Sequence, residues 1–232
     1  MTIKLALLGS NISHSQSPVI YRRLISNNIE YDLLDISEVE QIPSWHELAK
    51  KYQGLNITTP WKEVFADKAV KSVAHLGAVN CLRFNGNDCE ATNTDWSALK
   101  LLLPAVLKKF NCEVECVLLG NGVMARITTD VCSQLSVSVT HYARSLGNDL
   151  AGLKLENTLP GGKQKLIINA CGRSVNFQAS LRGAWVFWDL NYAHTAHEKQ
   201  IPSDNTTYLD GRELLEEQAK HAIQFWNLSL PH

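Results

Sequence analysis

The feature that most constrains this chain is an apolar run ending in glycine and followed by a helix-forming stretch, and it occurs twice. "IKLALLG" (3–9) and "VECVLLG" (114–120) are apolar at consecutive positions. That pattern belongs to a parallel strand buried on both faces, not to a half-exposed one. Parallel strands need a crossover, usually a helix. After the first run, "SPVIYRRLISNN" reads as a helix, "IEYDLLDI" as a strand, "SWHELAKKY" as a short helix and "GLNITT" as a strand. "WKEVFADKAV" has helical character, and "AVNCLRF" and "DCEATN" flank Asn85-Gly86-Asn87, a hairpin signal. A helix is expected to begin near Asp95 and to be kinked or broken before Pro104. After the second run come "NGVMARITTDVCSQL" as helix and the strands "SVSVTHY", "KLIINA", "AWVFWDL" and "TTYLD". "GRELLEEQAKHAIQFWN" closes the chain as a helix, with Leu214, Leu215, Ala219, Ala222, Ile223 and Trp226 on one broad face. The pattern predicts an α/β fold with largely parallel sheets, in two lobes meeting near residues 95–112.

Composition narrows the functions. The 232 residues suffice for one large domain or two small ones, and 45% of them are hydrophobic. A formal net charge of −1 gives no bulk attraction to nucleic acid or anionic membrane. The apolar runs fall short of the roughly 18 residues that span a bilayer, and no signal peptide is visible, so a cytoplasmic protein is expected. The six cysteines form no CxxC pair and read as reduced, buried thiols. Cys112 and Cys116 are spaced like a metal pair, but nothing nearby completes a site. "HTAH" (His194, His197) also looks like a metal pair, and a solvated loop is the better expectation; no metal is expected.

"LLGNGVMARI" matches G-x-G-x-x-A after a buried strand and before a helix. Gly120 permits the tight turn, Gly122 lets backbone approach a pyrophosphate, and Ala125 allows close helix–strand packing. The helix N-terminus then offers N–H donors and a favourable dipole. A free ribose 2′-OH would call for an acid about 20 residues on. "SVTHYARS" has none there; Arg144 and Ser145 stand in its place. An arginine pairs with a 2′-phosphate, so NADP is favoured over NAD.

"GLNITTPWKE" poses a different problem. Pro60 stops the strand, and Lys62 then falls at or near the first turn of a helix, where partial positive charge disfavours a cation. A plain Lys62–Glu63 surface pair fits poorly with the polar company around it. "SHSQSP" reads as a capped helix start, with Ser17 as N-cap and Pro18 as first helical residue. Ser15 adds a second hydroxyl, suited to a carboxylate. Asn80 and "TNTD", ending at Asp95, bring further polar groups to strand ends.

Taken together and in order, these segments resemble the shikimate dehydrogenase family across nearly the whole chain. "ISHSQSP" is similar to I-S-H-S-x-S-P, "GLNITTPWKE" to G-x-N-V-T-x-P-x-K-E and "GAVN" to G-A-x-N. "NTD" matches outright, "WDLNY" is similar to D-x-x-Y and "GRELLEEQA" to G-x-x-M-L-x-x-Q-A. The resemblance implies a two-lobed enzyme: residues 1–95 plus 211–232 as an α/β substrate lobe, and 96–210 as a Rossmann-type, doubly wound NADP-binding lobe. It implies reversible, NADP-dependent reduction of 3-dehydroshikimate to shikimate, with Lys62 and Asp95 as the catalytic pair. Ser15 and Ser17 would hold the substrate carboxylate, and Thr58, Asn80, Tyr192 and Gln218 would contact the carboxylate or ring hydroxyls. Gly120, Asn121, Gly122, Val123, Arg144 and Ser145 would form the cofactor site. The implied partners are small molecules, with no nucleic acid and no membrane, in a monomer or homodimer.

Departures from the family pattern fall in the cofactor half. "GNGVMA" stands for G-A-G-G-A-[AS], Ala143-Arg144-Ser145 for N-R-[ST], and "NACG" for N-A-T-[SP]. Glu213 replaces the second glycine of the closing motif, which in the family lies near the nicotinamide, and the lobe is trimmed after Arg144. Two further readings are therefore a dehydrogenase preferring quinate or a related cyclohexane polyol acid, and a shikimate-binding regulatory protein with weak turnover.

Overall fold

The computed structural model describes residues 2–25, 29–86, 88–192, 195–202 and 204–228. The chain divides into two compact units, Met1–Ser97 with Glu216–His232, and Ala98–Leu215.

The first unit contains β1 (Ile3–Gly9), α1 (Ser17–Ile25), β2 (Ile29–Asp35), α2 (Trp45–Ala49), β3 (Gly54–Ile57), β4 (Cys81–Asn85) and β5 (Asp88–Thr92). Its five-stranded sheet has the order β2-β1-β3-β4-β5. β1 runs parallel to β2 and β3, while β4 is antiparallel to β3 and to β5. Alternate residues of β1 feed opposite faces: Leu5 and Leu7 pack with Tyr21, Tyr31 and Trp226, and Ala6 and Leu8 with Leu55, Ile57 and Leu82. Burial on both faces is why Leu5 to Leu8 are apolar without interruption, while Lys4 at the exposed start of the strand is not. The topology also sets the functional edge. β1 and β3 end there, antiparallel β4 begins there, and β5 returns to it, so residues 10–17, 58–62, 80 and 93–95 emerge together.

α3 (Thr94–Lys109) is one helix with Pro104 inside it, so the expected break is absent. Buried Leu99, Leu102, Leu103 and Val106 carry the helix past the missing N–H. The second unit continues with β6 (Cys112–Leu119), α4 (Val123–Gln134), β7 (Ser138–Tyr142), β8 (Lys154–Glu156), β9 (Gln164–Asn169), β10 (Ser180–Arg182), β11 (Trp185–Asp189), α5 (Thr195–Gln200) and β12 (Thr206–Leu209); α6 (Arg212–Phe225) starts in it, and from Glu216 onward belongs to the first unit. Its main sheet is parallel, in the order β12-β11-β9-β6-β7. The order reverses at β6, which places Gly120 at a topological switch point, where open α/β sheets bind ligands. β8 and β10 form a separate two-stranded sheet that the sequence pattern did not reveal.

Two further expectations change. "WKEVFADKAV" forms two 3₁₀ turns, Trp61–Glu63 and Ala66–Lys68, not a helix. The Lys62 carbonyl accepts the Val79 N–H at 2.7 Å, a tertiary bond that takes the acceptor a helix would use. The hairpin forms, with Asn85 opposite Asp88; Asn87 and the expected helix end at 26–28 lie outside the described residues. No helix among the described residues is long and apolar enough to cross a membrane.

Candidate active site

In the first unit, Asp35 at the end of β2 accepts the Asn11 and Ile12 N–H groups at 2.7 and 3.2 Å, fixing the loop after β1. The Ser15 hydroxyl accepts the Ser17 N–H at 3.2 Å. The capping role predicted for Ser17 therefore moves outward: Ser17 is already helical and buried, and Gln16 O accepts the Ile20 N–H. Ser15 and Ser17 remain neighbours at one helix start. Thr58 leaves β3 through its N–H to Leu8 O at 2.8 Å, and its carbonyl accepts from Trp61 N at 2.9 Å.

Lys62 is buried, and its Nζ lies 2.6 Å from Asp95 Oδ2. The two side chains are 9% and 12% exposed, which rules out a Lys62–Glu63 surface pair and leaves an ion pair with restricted access to water. Asp95 stands in the first turn of α3, where the helix dipole favours a carboxylate. Asn93 starts that helix by accepting the Trp96 N–H at 3.0 Å, while its amide holds Ala78 O at 3.0 Å.

Asn80 and Gln218 come together through Thr94. Asn80 Oδ1 accepts the Thr94 N–H at 2.6 Å, and the Thr94 hydroxyl lies 3.1 Å from both Asn80 Oδ1 and Gln218 Oε1. Sequence reasoning named the "TNTD" stretch but assigned Thr94 no role. Tyr192 belongs to the second unit, half-buried beneath the Arg173 guanidinium, which lies 5.2 Å from its ring centre.

At the end of β6, Gly120 has φ +108°, and a Cβ there would stand 3.0 Å from the Ala170 backbone, so glycine is required. Gly122 differs: a Cβ would meet nothing within 4 Å. It precedes α4, whose start has no side-chain cap and no acid in its first turn. A helix start with open space beside it suits a phosphate. Asn121 Nδ2 donates to Ser145 Oγ at 2.8 Å, joining this loop to the 3₁₀ turn Arg144–Leu146. Arg144 is exposed; burial pushes the Cys171 thiol up to about 11, against the opposing pull of the Arg144 charge. A cavity of about 400 Å³ beside the loop is lined by Asn121, Arg126, Thr129, Asp130, Ser133 and His141. Val123 and Met124 are half-buried, so neither fills the open side of Gly122. The residues present therefore fit a dinucleotide with an added phosphate.

The metal-like spacings resolve otherwise. Cys116 faces Cys132, sulfur to sulfur at 3.9 Å, and has no partner in Cys112. His197 is fully buried in α5, bonded to Asp189 and Val175 O, so the expected solvated loop is wrong there; His194 lies outside the described residues. Among the described residues no group of three or more His, Cys, Asp or Glu is arranged to hold a metal ion.

Residues 7–82 match the family model described as the shikimate dehydrogenase substrate binding domain. The NADP(+) shikimate dehydrogenase of Caldicellulosiruptor saccharolyticus is 33% identical over 112 residues, 44% of this chain but 40% of that protein's length. The shikimate dehydrogenase of Sulfurisphaera tokodaii is 27% identical over 236 residues, 96% of this chain and 88% of that protein. Among solved structures, the shikimate 5-dehydrogenase of Thermus thermophilus, in complex with NADP(H) and shikimate, superposes with a TM-score of 0.70 at 18% identity. That match covers 100% of this chain and 95% of the other, a likeness of fold.

Proposed function

We propose that this chain, a relative of the shikimate dehydrogenases, catalyses the reversible NADP-dependent reduction of 3-dehydroshikimate to shikimate. The observation that carries the reading is the Lys62–Asp95 pair, 2.6 Å apart and nearly closed to water at the strand-end edge of the first unit. In support stand the family match over residues 7–82 and the relatives that align along most of the chain.

When bound, NADPH supplies the hydride that adds to the ketone carbon. The oxygen of that ketone then needs a proton, and Lys62 Nζ donates it; in the oxidative direction the same amine takes the hydroxyl proton. Asp95 holds the ammonium by a charge-assisted hydrogen bond and fixes where the proton is presented. Ser15 and Ser17 bind the substrate carboxylate at the start of α1, where helix N–H groups favour an anion. Thr58, Asn80, Tyr192 and Gln218 contact the carboxylate or ring hydroxyls, residues 1–95 with 211–232 being read as the substrate lobe. In the 96–210 lobe, the backbone at Gly120, Asn121, Gly122 and Val123 would hold the pyrophosphate. Arg144 and Ser145 would hold the 2′-phosphate.

The test is shikimate-dependent formation of reduced nicotinamide by purified protein, with NADP and NAD compared at matched concentration. Turnover with NADP supports the reading; shikimate binding without any reduced nicotinamide would leave a binding protein in its place.

A further inference from the structure

The ladder between β6 and β7 closes with the Gly120 N–H donating to Tyr142 O at 2.9 Å. Beyond that bond the two chains part, and two side chains take over the joining. His141 Nε2 meets Gly120 O, and Asn121 Nδ2 donates to Ser145 Oγ at 2.8 Å. A carbonyl oxygen only accepts, so Nε2 is the donor of its pair, in a neutral or a charged ring alike. Three successive groups of the loop, Gly120 N, Gly120 O and Asn121 Nδ2, are thereby tied to the end of β7 and the turn after it. Strand alternation brings His141 to this place. Tyr142 packs into the core of Val117, Leu119 and Ile167. His141, opposite Leu118 in the ladder, shares the wall of the cavity of about 400 Å³ with Arg126, Thr129, Asp130 and Ser133 of α4.

We propose that His141 is a positioning residue for the cofactor: by holding the Gly120 carbonyl it sets the direction of the Asn121 N–H, a backbone donor for the pyrophosphate. The link is covalent geometry. The Gly120 C=O and the Asn121 N–H belong to one planar trans peptide and point opposite ways. Gly120, with no side chain, leaves that plane freer to turn than another residue would. A donor on the carbonyl removes this freedom. The oxygen stays on the β7 side, and the N–H stays turned away from it.

The Asn121–Ser145 bond pins the next residue, and Arg144 precedes that serine in the same 3₁₀ turn. The ties therefore hold the pyrophosphate loop in register with the residues read as the 2′-phosphate site. Every group involved lies in the second unit. The effect on cofactor rests on the proposed function; the tie itself does not.

The test is titration of full-length protein with NADP and with NAD, in wild type, His141→Ala and His141→Gln. Alanine removes the donor, and the glutamine amide can donate to the same carbonyl. His141→Ala should raise the Kd of NADP about five- to tenfold, the scale of one hydrogen bond. NAD should weaken by the same factor, because the pyrophosphate is common to both. The cofactor KM should rise accordingly while kcat at saturating cofactor changes little, and His141→Gln should regain most of the affinity. Unchanged binding in His141→Ala, or an equal loss in His141→Gln, overturns the proposal. So does a loss confined to NADP, which would place the ring on the 2′-phosphate instead. Should His141→Ala fail to fold, His141→Phe, which also lacks the donor, stands in the same comparison. Should wild type bind neither cofactor, the functional reading falls, and hydrogen exchange at the Asn121 amide judges the tie: quickened in His141→Ala and restored in His141→Gln if the tie holds, unchanged throughout if it does not.

Discussion

Each unit buries a carboxylate beside a basic side chain, and the two pairs are built for different ends. Asp189 is fully enclosed, with donors from β9, β12, α5 and the chain after β11 closing on its two oxygens. Asp95 sits at a helix start on a sheet edge, 12% exposed, with Lys62 Nζ at 2.6 Å. A carboxylate crowded with donors has no capacity left for a ligand and serves the fold. A pair that keeps a route to the surface can hand a proton to something that arrives. The same contrast runs through the ligand sites: the first unit presents side chains already tied to one another through Thr94, the second presents open space at Gly122 beside the start of α4.

The largest expected effect breaks this comparison directly. Asp189→Asn should cost about 3–5 kcal/mol, since it uncouples a buried pair whose other donors stay behind, and should appear as a lower melting temperature. Asp95→Asn should instead lower kcat and leave most of the stability in place. If the two variants lose stability equally, the distinction fails. The pH dependence has a definite sign. Burial pushes Asp189 upward, but donors from His197, Asn191 and Tyr208 outweigh it and hold the carboxyl below its ordinary value. Its contribution is thus present above the unfolded carboxyl's pKa of about 3.9 and lost as pH falls through the lower folded value. Unfolding free energy measured from neutral to strongly acid pH should show this loss at the acid end.

Arg144→Ala comes next. It should weaken NADP by about 1.5–3 kcal/mol, the range for a hydrogen bond to a charged group, and hardly touch NAD. Equal losses for both cofactors would remove the 2′-phosphate assignment. The glycines sharpen the point at about the same scale. Gly120→Ala should destabilise the fold by about 1–3 kcal/mol through its left-handed backbone. Gly122→Ala should leave the melting temperature nearly unchanged and raise the NADP KM. An equal fall in melting temperature for both would mean that Gly122 is structural too.

The smallest effect is expected at Glu213, an exposed carboxylate in the first turn of α6. Glu213→Gly should favour NADPH over NADP relative to wild type, because the oxidised nicotinamide carries positive charge. The change should stay below about 1 kcal/mol for an exposed charge. Titration of both cofactor forms against both proteins decides it.

Much of the fold was legible because burial on two faces leaves a plain trace. All five strands expected in each half are present, and Leu5 to Leu8 fill two cores. What stayed hidden depends on distant partners. Nothing near Lys62 announces that its carbonyl will take the Val79 N–H and end the helix there. β8 and β10 are three residues each, too short for a period. His197 resembled a loop residue because Asp189 and Val175, which enclose it, lie 8 and 22 positions away. At the site, Lys62 drew notice by standing where a cation has little local reason to be. Thr94 drew none, since a threonine at a helix start is ordinary until Asn80 and Gln218 are seen on either side.

The most direct test of the central claim is single-turnover hydride transfer from shikimate to NADP in wild type and Lys62→Ala, with both ligands shown bound by calorimetry. Wild type should yield one equivalent of reduced nicotinamide. Lys62→Ala should bind shikimate measurably yet transfer at least about 10²-fold more slowly, the usual scale for a general acid–base. No reduced nicotinamide from wild type, or an unchanged rate in the variant with only weaker shikimate binding, would contradict the account.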